Sequence, residues 1–330
     1  FIRYEPAYRR YELHSILSEL LISKRGEKGT AFERECLIRA GDLCRGDGSF
    51  LEAMGFYWQI KDYERMLTLD FSYMILEEIG SIPFSKLALD IAQNCPTDMK
   101  KKQLLSMLRI AWALLTAGME EPFRGLMKEL HVMLDEERGN PCLLGEWTLL
   151  SSFLHYPDLK EMIAVLGQAA SLFGGTCSQV ILPTAPWCFG SYYPLAEFHM
   201  VPGEADREAD LLEKYIALYS SLTNGHGSGA DVLFRAELAH NRGDLENAEI
   251  LSYKAVYLAE NHRQSVVQLG ATMLLAGIAL NKADMAGWQH AITSMERAAS
   301  YTMQNTFVVR SLLDIARGVL LFELGKQEDI

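Results

Sequence analysis

Residues 230–261 read ADVLFRAELAHNRGDLENAEILSYKAVYLAEN. Leu233, Leu238 and Ala239 give the first half a helical apolar face, and Arg242-Gly243-Asp244 supplies a turn. In the second half, Ala248, Leu251, Ala255, Leu258 and Ala259 recur at spacings of three and four, the period of one helix face. Small residues on that face let two helices approach closely, and the Tyr253 and Tyr257 rings are expected to fill the groove beside them. The stretch therefore predicts an antiparallel helical hairpin, and the fold depends on whether it repeats.

Moving outward, residues 264–302 carry an apolar helix, the turn Lys282-Ala283-Asp284 and a second helix containing Met295-Glu296-Arg297-Ala298. A further copy begins at 306–324 and stops at Gly325. Asp244 and Asp284 are 40 positions apart and Gly243 and Gly325 are 82 apart, so the period is near 41, longer than the ~34 of a standard tetratricopeptide (TPR) unit. Toward the N-terminus, Asp47-Gly48-Ser49-Phe50-Leu51-Glu52-Ala53, then Tyr57 and Lys61-Asp62-Tyr63, repeat the idea. Phe123, Leu126, Met127, Leu130, Met133 and Leu134 form one amphipathic stripe, and Leu211, Leu212, Tyr215, Ile216, Tyr219 and Leu222 form another. The expectation is an all-α chain, a TPR-like helical-repeat superhelix (α-solenoid) of about fourteen to sixteen helices, each about 12 to 18 residues long.

Composition agrees with an ordered globular chain: 330 residues, 49% hydrophobic and 22% charged. A net charge of −12 opposes nucleic-acid binding by this region, because phosphate contacts need clustered Lys and Arg. The six cysteines, Cys36, Cys44, Cys95, Cys142, Cys177 and Cys188, form no CxxC pair and have no His at metal-ligand spacing, so reduced, buried thiols in a cytoplasmic protein are expected and no metal. The first residue is Phe1 with no basic, apolar leader after it, so no secretion signal is expected and the chain reads as a piece of a longer one. Leu104 to Gly118 and Val266 to Leu280 are strongly apolar but too short for the ~20 residues a bilayer requires. Both predict helices buried on nearly all sides, and no membrane partner.

Two stretches break the helical pattern. Residues 1–14, FIRYEPAYRRYELH, predict two short strands around a Pro-containing turn, leading into a helix from Ser15 to Lys24. Residues 174–203 hold Pro183, Pro186, Pro194 and Pro202 with Trp187, Phe189, Tyr192 and Tyr193, a density that predicts an irregular segment lying on the helices.

Candidate sites follow from these breaks. Thr223 to Asp231, TNGHGSGAD, resembles a phosphate loop only in its glycines. It follows a helical run, no Lys comes after Gly229, and GxGxG lacks the GxGxxG spacing. Instead, Asn224 or Gly225 is expected to end one helix in a left-handed conformation, and Ser228 with Asp231 to form a capping box for the next. A turn does not need the imidazole of His226, which leaves it two roles, contact with a ligand or with a neighbouring repeat. Trp187 and Phe189 either anchor their segment or join Tyr192 and Tyr193 in a ligand site, since aromatic faces suit sugars, aromatic effectors or apolar side chains. Glu237 and Arg235, on the first helix of the clearest repeat, either bond a ligand or pair with neighbouring charges. No nucleophile, carboxylate pair or HExxH set can be assembled, so no catalytic role is expected.

Several segments carry a resemblance: Phe1-Ile2-Arg3-Tyr4 with Tyr11 to Leu17; Glu33 to Leu69 with Ala40-Gly41-Asp42 and Glu52-Ala53; Leu144-Gly145-Glu146-Trp147; Pro186 to Ser191; Asn224 to Ala230; and Ala236-Glu237. Together they resemble the central region of large LuxR-family transcriptional regulators of the MalT-like, STAND class. The resemblance implies that residues 1–25 are the tail of a winged-helix module and 26–330 a TPR-like superhelical sensor with an irregular insertion at 174–203. It further implies a small-molecule effector or a protein partner in the superhelical groove, self-association, and DNA binding only through a C-terminal helix-turn-helix not contained here. ATP would belong to an upstream NTPase, because this chain has no GxxxxGK[ST]. The alternative is a TPR-type protein-interaction scaffold.

Overall fold

The structure, a computed structural model, describes residues 2–5, 10–75, 78–79, 82–136, 140–300 and 306–325. Among them are seventeen α-helices, more than the periodicity suggests, because breaks at Asp62, Gln103 and Pro194 set off helices of five or six residues. The chain forms two compact units, residues 1–71 with 78–82, and residues 72–77 with 83–330.

In the first unit, strands β1 (Ile2–Glu5) and β2 (Arg10–Leu13) pair antiparallel, Tyr4 opposite Tyr11. The Pro6-containing turn lies outside the described residues. Helices α1 (Ser15–Glu27), α2 (Thr30–Gly46), α3 (Phe50–Gln59) and α4 (Tyr63–Leu67) follow. The pair α2 and α3 packs closely because Gly41 faces the buried Tyr57 ring; a Cβ there would meet Tyr57 Cε1 at 2.5 Å. The Tyr57 hydroxyl donates to Asp42 at 2.8 Å.

The second unit begins with α5 (Phe84–Asn94), α6 (Thr97–Lys102), α7 (Leu104–Thr116) and α8 (Glu120–Glu136). Next come α9 (Pro141–Ser151), α10 (Leu159–Phe173), α11 (Pro194–Phe198) and α12 (Ala205–Leu222). It ends with α13 (Ala230–Asn241), α14 (Leu245–Asn261), α15 (Ser265–Asn281), α16 (Met285–Ser300) and α17 (Thr306–Glu323). From α12 onward each helix packs on the next, and α13 also meets α15. The apolar runs form α7 and α15, buried around most of their circumference, and no described helix is long and apolar enough to cross a membrane.

One turn recurs. Gly48, Lys61, Gly118, Asn224, Gly243, Arg263 and Ala283 each have φ between 52° and 80°, just past the end of a helix. After each, the next N–H donates to the carbonyl five positions back, at 2.8 to 3.0 Å; Asp244 to Ala239 and Asp284 to Ala279 are examples. This is the Schellman arrangement, which satisfies a carbonyl left over at the helix end. Gly243, Arg263 and Ala283 are 20 positions apart, so a hairpin takes 40 residues. Asp62, Asp244 and Asp284 then cap the following helix through the N–H three residues on, at 2.9 to 3.2 Å.

Three local expectations are corrected. Tyr253 and Tyr257 are 54% and 64% exposed with Ile250, because they lie opposite the small-residue face of Ala248, Ala255 and Ala259, which is fully buried. The Ser228 and Asp231 capping box does not form; Gly229, with φ of 93°, occupies the N-cap of α13 and no side chain caps it. Of the six thiols only Cys95 is buried, the others being partly accessible.

Candidate functional site

The irregular segment 174–203 poses a local problem, since its backbone N–H groups have no helical ladder to join. Glutamates solve much of it. Glu146 of α9 accepts from the Ser178 hydroxyl at 2.6 Å and the Gln179 N–H at 2.5 Å. Glu197 accepts from the N–H groups of Phe189 and Ser191, Glu208 from those of Met200 and Val201, and Glu237 from that of Leu195, at 2.6 to 3.0 Å. All four side chains are buried. Burial raises Glu197 to about 7 and Glu237 to about 8; each accepted N–H opposes the rise, and Glu197 adds to that of Glu237.

A second anchor is Gln264, at the N-cap of α15 where the neighbouring turns have Asp. It does not cap its own helix. Its Oε1 accepts the Gly227 N–H at 2.8 Å, and its Nε2 donates to the Pro183 and His262 carbonyls. One side chain thus joins the 174–203 segment, the TNGHGSG loop and the turn between α14 and α15.

The glycines of that loop make close approaches possible. A Cβ on Gly225 would meet the His262 ring at 2.1 Å, and one on Gly227 would meet the Trp187 ring at 2.8 Å. Packed so, Trp187 and His226 both line a pocket of about 530 Å³. Its walls come from α7 (Trp112, Leu115, Thr116), α8 (Glu120, Phe123, Arg124), the turn after α9 (Phe153, Leu154, Tyr156), the segment Pro186 to Gly190, Tyr219 of α12, and His226. The rings are in mutual contact. Tyr156 stacks on Phe189 at 4.8 Å, Trp187 meets Phe189 edge-on at 5.3 Å, and Phe153 meets Trp112 at 5.5 Å and Tyr219 at 6.0 Å.

His226 is buried, and its Nδ1 lies 2.7 Å from the Tyr219 hydroxyl. Desolvation lowers its pKa to about 4, while the Ala185 and Pro186 carbonyls nearby oppose the shift without reversing it. The ring is therefore neutral at pH 7. Among the described residues the Tyr219 hydroxyl has no other acceptor, and a hydroxyl donating to Nδ1 would place the ring proton on Nε2, toward the Ala185 and Pro186 carbonyls. Trp187 Nε1 is buried without a hydrogen-bond partner among the described residues, while the His226 ring has the Ala185 and Pro186 carbonyls beside it.

Of the seven residues singled out in the sequence, the structure brings Trp187, Phe189 and His226 together in this pocket. Tyr192 and Tyr193 instead pack against the core formed by α15, α16 and α17, and the Tyr192 carbonyl lies over Gly270. Arg235 is paired with Asp210 at 2.7 Å and Glu213 at 2.8 Å, and Glu237 holds the Leu195 N–H. Trp112, Phe123, Phe153, Tyr156 and Tyr219 also line the pocket; in the sequence each reads as core of its own helix or turn, and they meet only in three dimensions. The Tyr156-Pro157 break between two helices is the one local signal that was available. No group of three or more potential metal ligands occurs among the described residues.

No family model matches the sequence, and no curated protein or solved structure is significantly similar to it.

Proposed function

We propose that this chain is the signal-sensing and oligomerisation region of a LuxR-type transcriptional regulator of the MalT-like class, built as a TPR-like superhelix behind a winged-helix remnant. An effector bound to the superhelix favours one arrangement over another, and that difference controls DNA binding by a C-terminal helix-turn-helix elsewhere in the protein. The family part of this reading rests on the quoted sequence segments. The 20-residue spacing of the helix-ending turns supports the repeat architecture.

The observation that carries the sensing role is the aromatic pocket of about 530 Å³ at which the 174–203 segment, the TNGHGSG loop and three helices meet. Pockets of this size and lining are typical of small-molecule sites. Thermal-shift screening of residues 1–330 against a metabolite library tests it, since a ligand of the folded state must raise the melting temperature. His226→Ala should then reduce the affinity of any hit; unchanged affinity would remove His226 from the site.

A second reading, a protein-interaction scaffold, is favoured by the exposed stripe Ile250, Tyr253 and Tyr257 on α14, which follows the i, i+3, i+7 spacing used to grip a partner helix. If Tyr253→Ser with Tyr257→Ser abolished self-association or partner capture by the full-length protein while leaving small-molecule shifts intact, that reading would gain and the effector reading would stand beside it.

A further inference from the structure

The polar side chains that line the pocket are already engaged within the protein. Thr116 donates to the Trp112 carbonyl at 3.0 Å, Tyr156 to the Glu197 carbonyl at 3.0 Å, and the Cys188 thiol to the Ser191 carbonyl at 3.3 Å. The Tyr219 hydroxyl and the His226 ring meet each other, and the Trp187 nitrogen is closed off from solvent. Among the described lining residues Arg124 is the one cation at pH 7, and its Nε and Nη2 both donate to Glu120, at 2.9 and 2.7 Å. A sugar would therefore find few partners for its hydroxyls, and an anion would meet a neutralised guanidinium on a chain of net charge −12. What the pocket does offer is carbon. Leu115, Leu154 and Phe189 are only partly covered and Tyr156 is 37% exposed, with the Tyr156 and Phe189 rings parallel to within 6°. Apolar side chains that line a concavity and still touch water are what an apolar ligand covers.

We propose that the pocket takes an uncharged, predominantly hydrocarbon molecule, held by apolar contact and not by hydrogen bonds to side chains. The proposal rests on the effector reading above and narrows it to a chemical class. The volume of about 530 Å³ suits a small molecule of a few rings. Such a molecule would cover Leu115 of α7, Leu154 and Tyr156 of the turn after α9, and Phe189 of the irregular segment at once. Three parts of the chain would then share one set of apolar contacts, so the ligand favours the arrangement in which they lie together. That is the differential interaction a sensor's effector must supply.

N-phenylnaphthylamine serves as probe, since it is uncharged, almost wholly hydrocarbon, and brightens on leaving water. Its sulfonated analogue, anilinonaphthalene sulfonate, adds one negative charge to the same rings, and sucrose offers hydroxyls without rings. The uncharged probe is expected to bind residues 1–330 with saturable emission and to raise the melting temperature. The sulfonate should bind at least about tenfold more weakly, because its charge finds no free cation in the pocket, and sucrose should do neither. Leu154→Trp and Leu115→Trp each fill the pocket from a partly exposed position, so either variant should abolish binding; the melting temperature of each free variant shows that it is folded. An uncharged probe that fails to bind, or that keeps its affinity in both folded variants, would overturn the proposal. If the sulfonate or sucrose binds at least as tightly and a tryptophan variant blocks it, the effector reading stands and the apolar class falls. If neither variant blocks any compound tried, both fall.

Discussion

At the scale of single residues, backbone conformation decides more than side-chain chemistry. The seven helix-ending turns use one left-handed residue each, and three of them place Lys61, Arg263 or Ala283 where glycine carries no steric penalty. Arg263→Gly should therefore stabilise the protein by about 0.5–1 kcal/mol, the left-handed penalty outweighing the entropy glycine adds to the unfolded chain. Denaturant unfolding would show it as a raised midpoint at unchanged slope. Gly227→Ala should do the reverse and cost about 2 kcal/mol or more. Its φ is +81° and its new methyl group would meet the Trp187 ring, so unfolding stability and Trp187 fluorescence should change together. The glycines of TNGHGSG were legible as helix punctuation. Their second role, leaving room for His262 and Trp187, was not, because those rings come from 37 positions downstream and 40 upstream.

At the scale of elements, the irregular segment is held by side chains of the helices around it. A glutamate on a helix face ordinarily points to solvent; Glu146, Glu208 and Glu237 point inward because the segment's N–H groups need acceptors. Gln264 is the clearest case. Gln264→Asp restores the cap found at Asp244 and Asp284, worth about 1 kcal/mol, but leaves the Gly227 N–H and the Pro183 carbonyl unpaired. The net change should be a loss of about 1–2 kcal/mol, and hydrogen exchange should quicken in the TNGHGSG loop and around residue 183 and not in α15. Equal quickening throughout would mean that Gln264 only packs. Gly270→Ala tests the same docking from below, since its methyl group would fall 2.2 Å from the Tyr192 carbonyl. A destabilisation of about 1–3 kcal/mol is expected, measurable by thermal unfolding.

For the whole molecule, the buried titratable groups set the pH response. Glu197 and Glu237 have folded pKa values raised to about 7 and about 8 by burial, so the native state binds more protons than the unfolded chain above the ordinary Glu pKa, and stability falls as pH rises through that window. His226 acts oppositely but only between about 4 and 6.5, because its folded pKa is lowered. Between pH 6.5 and 8 the glutamates therefore dominate these three: the melting temperature should fall, and Glu237→Gln should flatten the slope. An unchanged slope in that variant would show that Glu237 is not protonated in the fold. Of the overall architecture, the sequence determined the helical character, the hairpin period, the turn positions and the irregularity of 174–203. Each of these depends on local spacing, on the conformational range of a few residues, or on proline. Tertiary structure alone decided which aromatic side chains share a pocket, and that Tyr192, Tyr193, Arg235 and Glu237 support the fold away from that pocket. These depend on groups that lie tens of residues apart and meet only when helices pack, a geometry that no local pattern encodes.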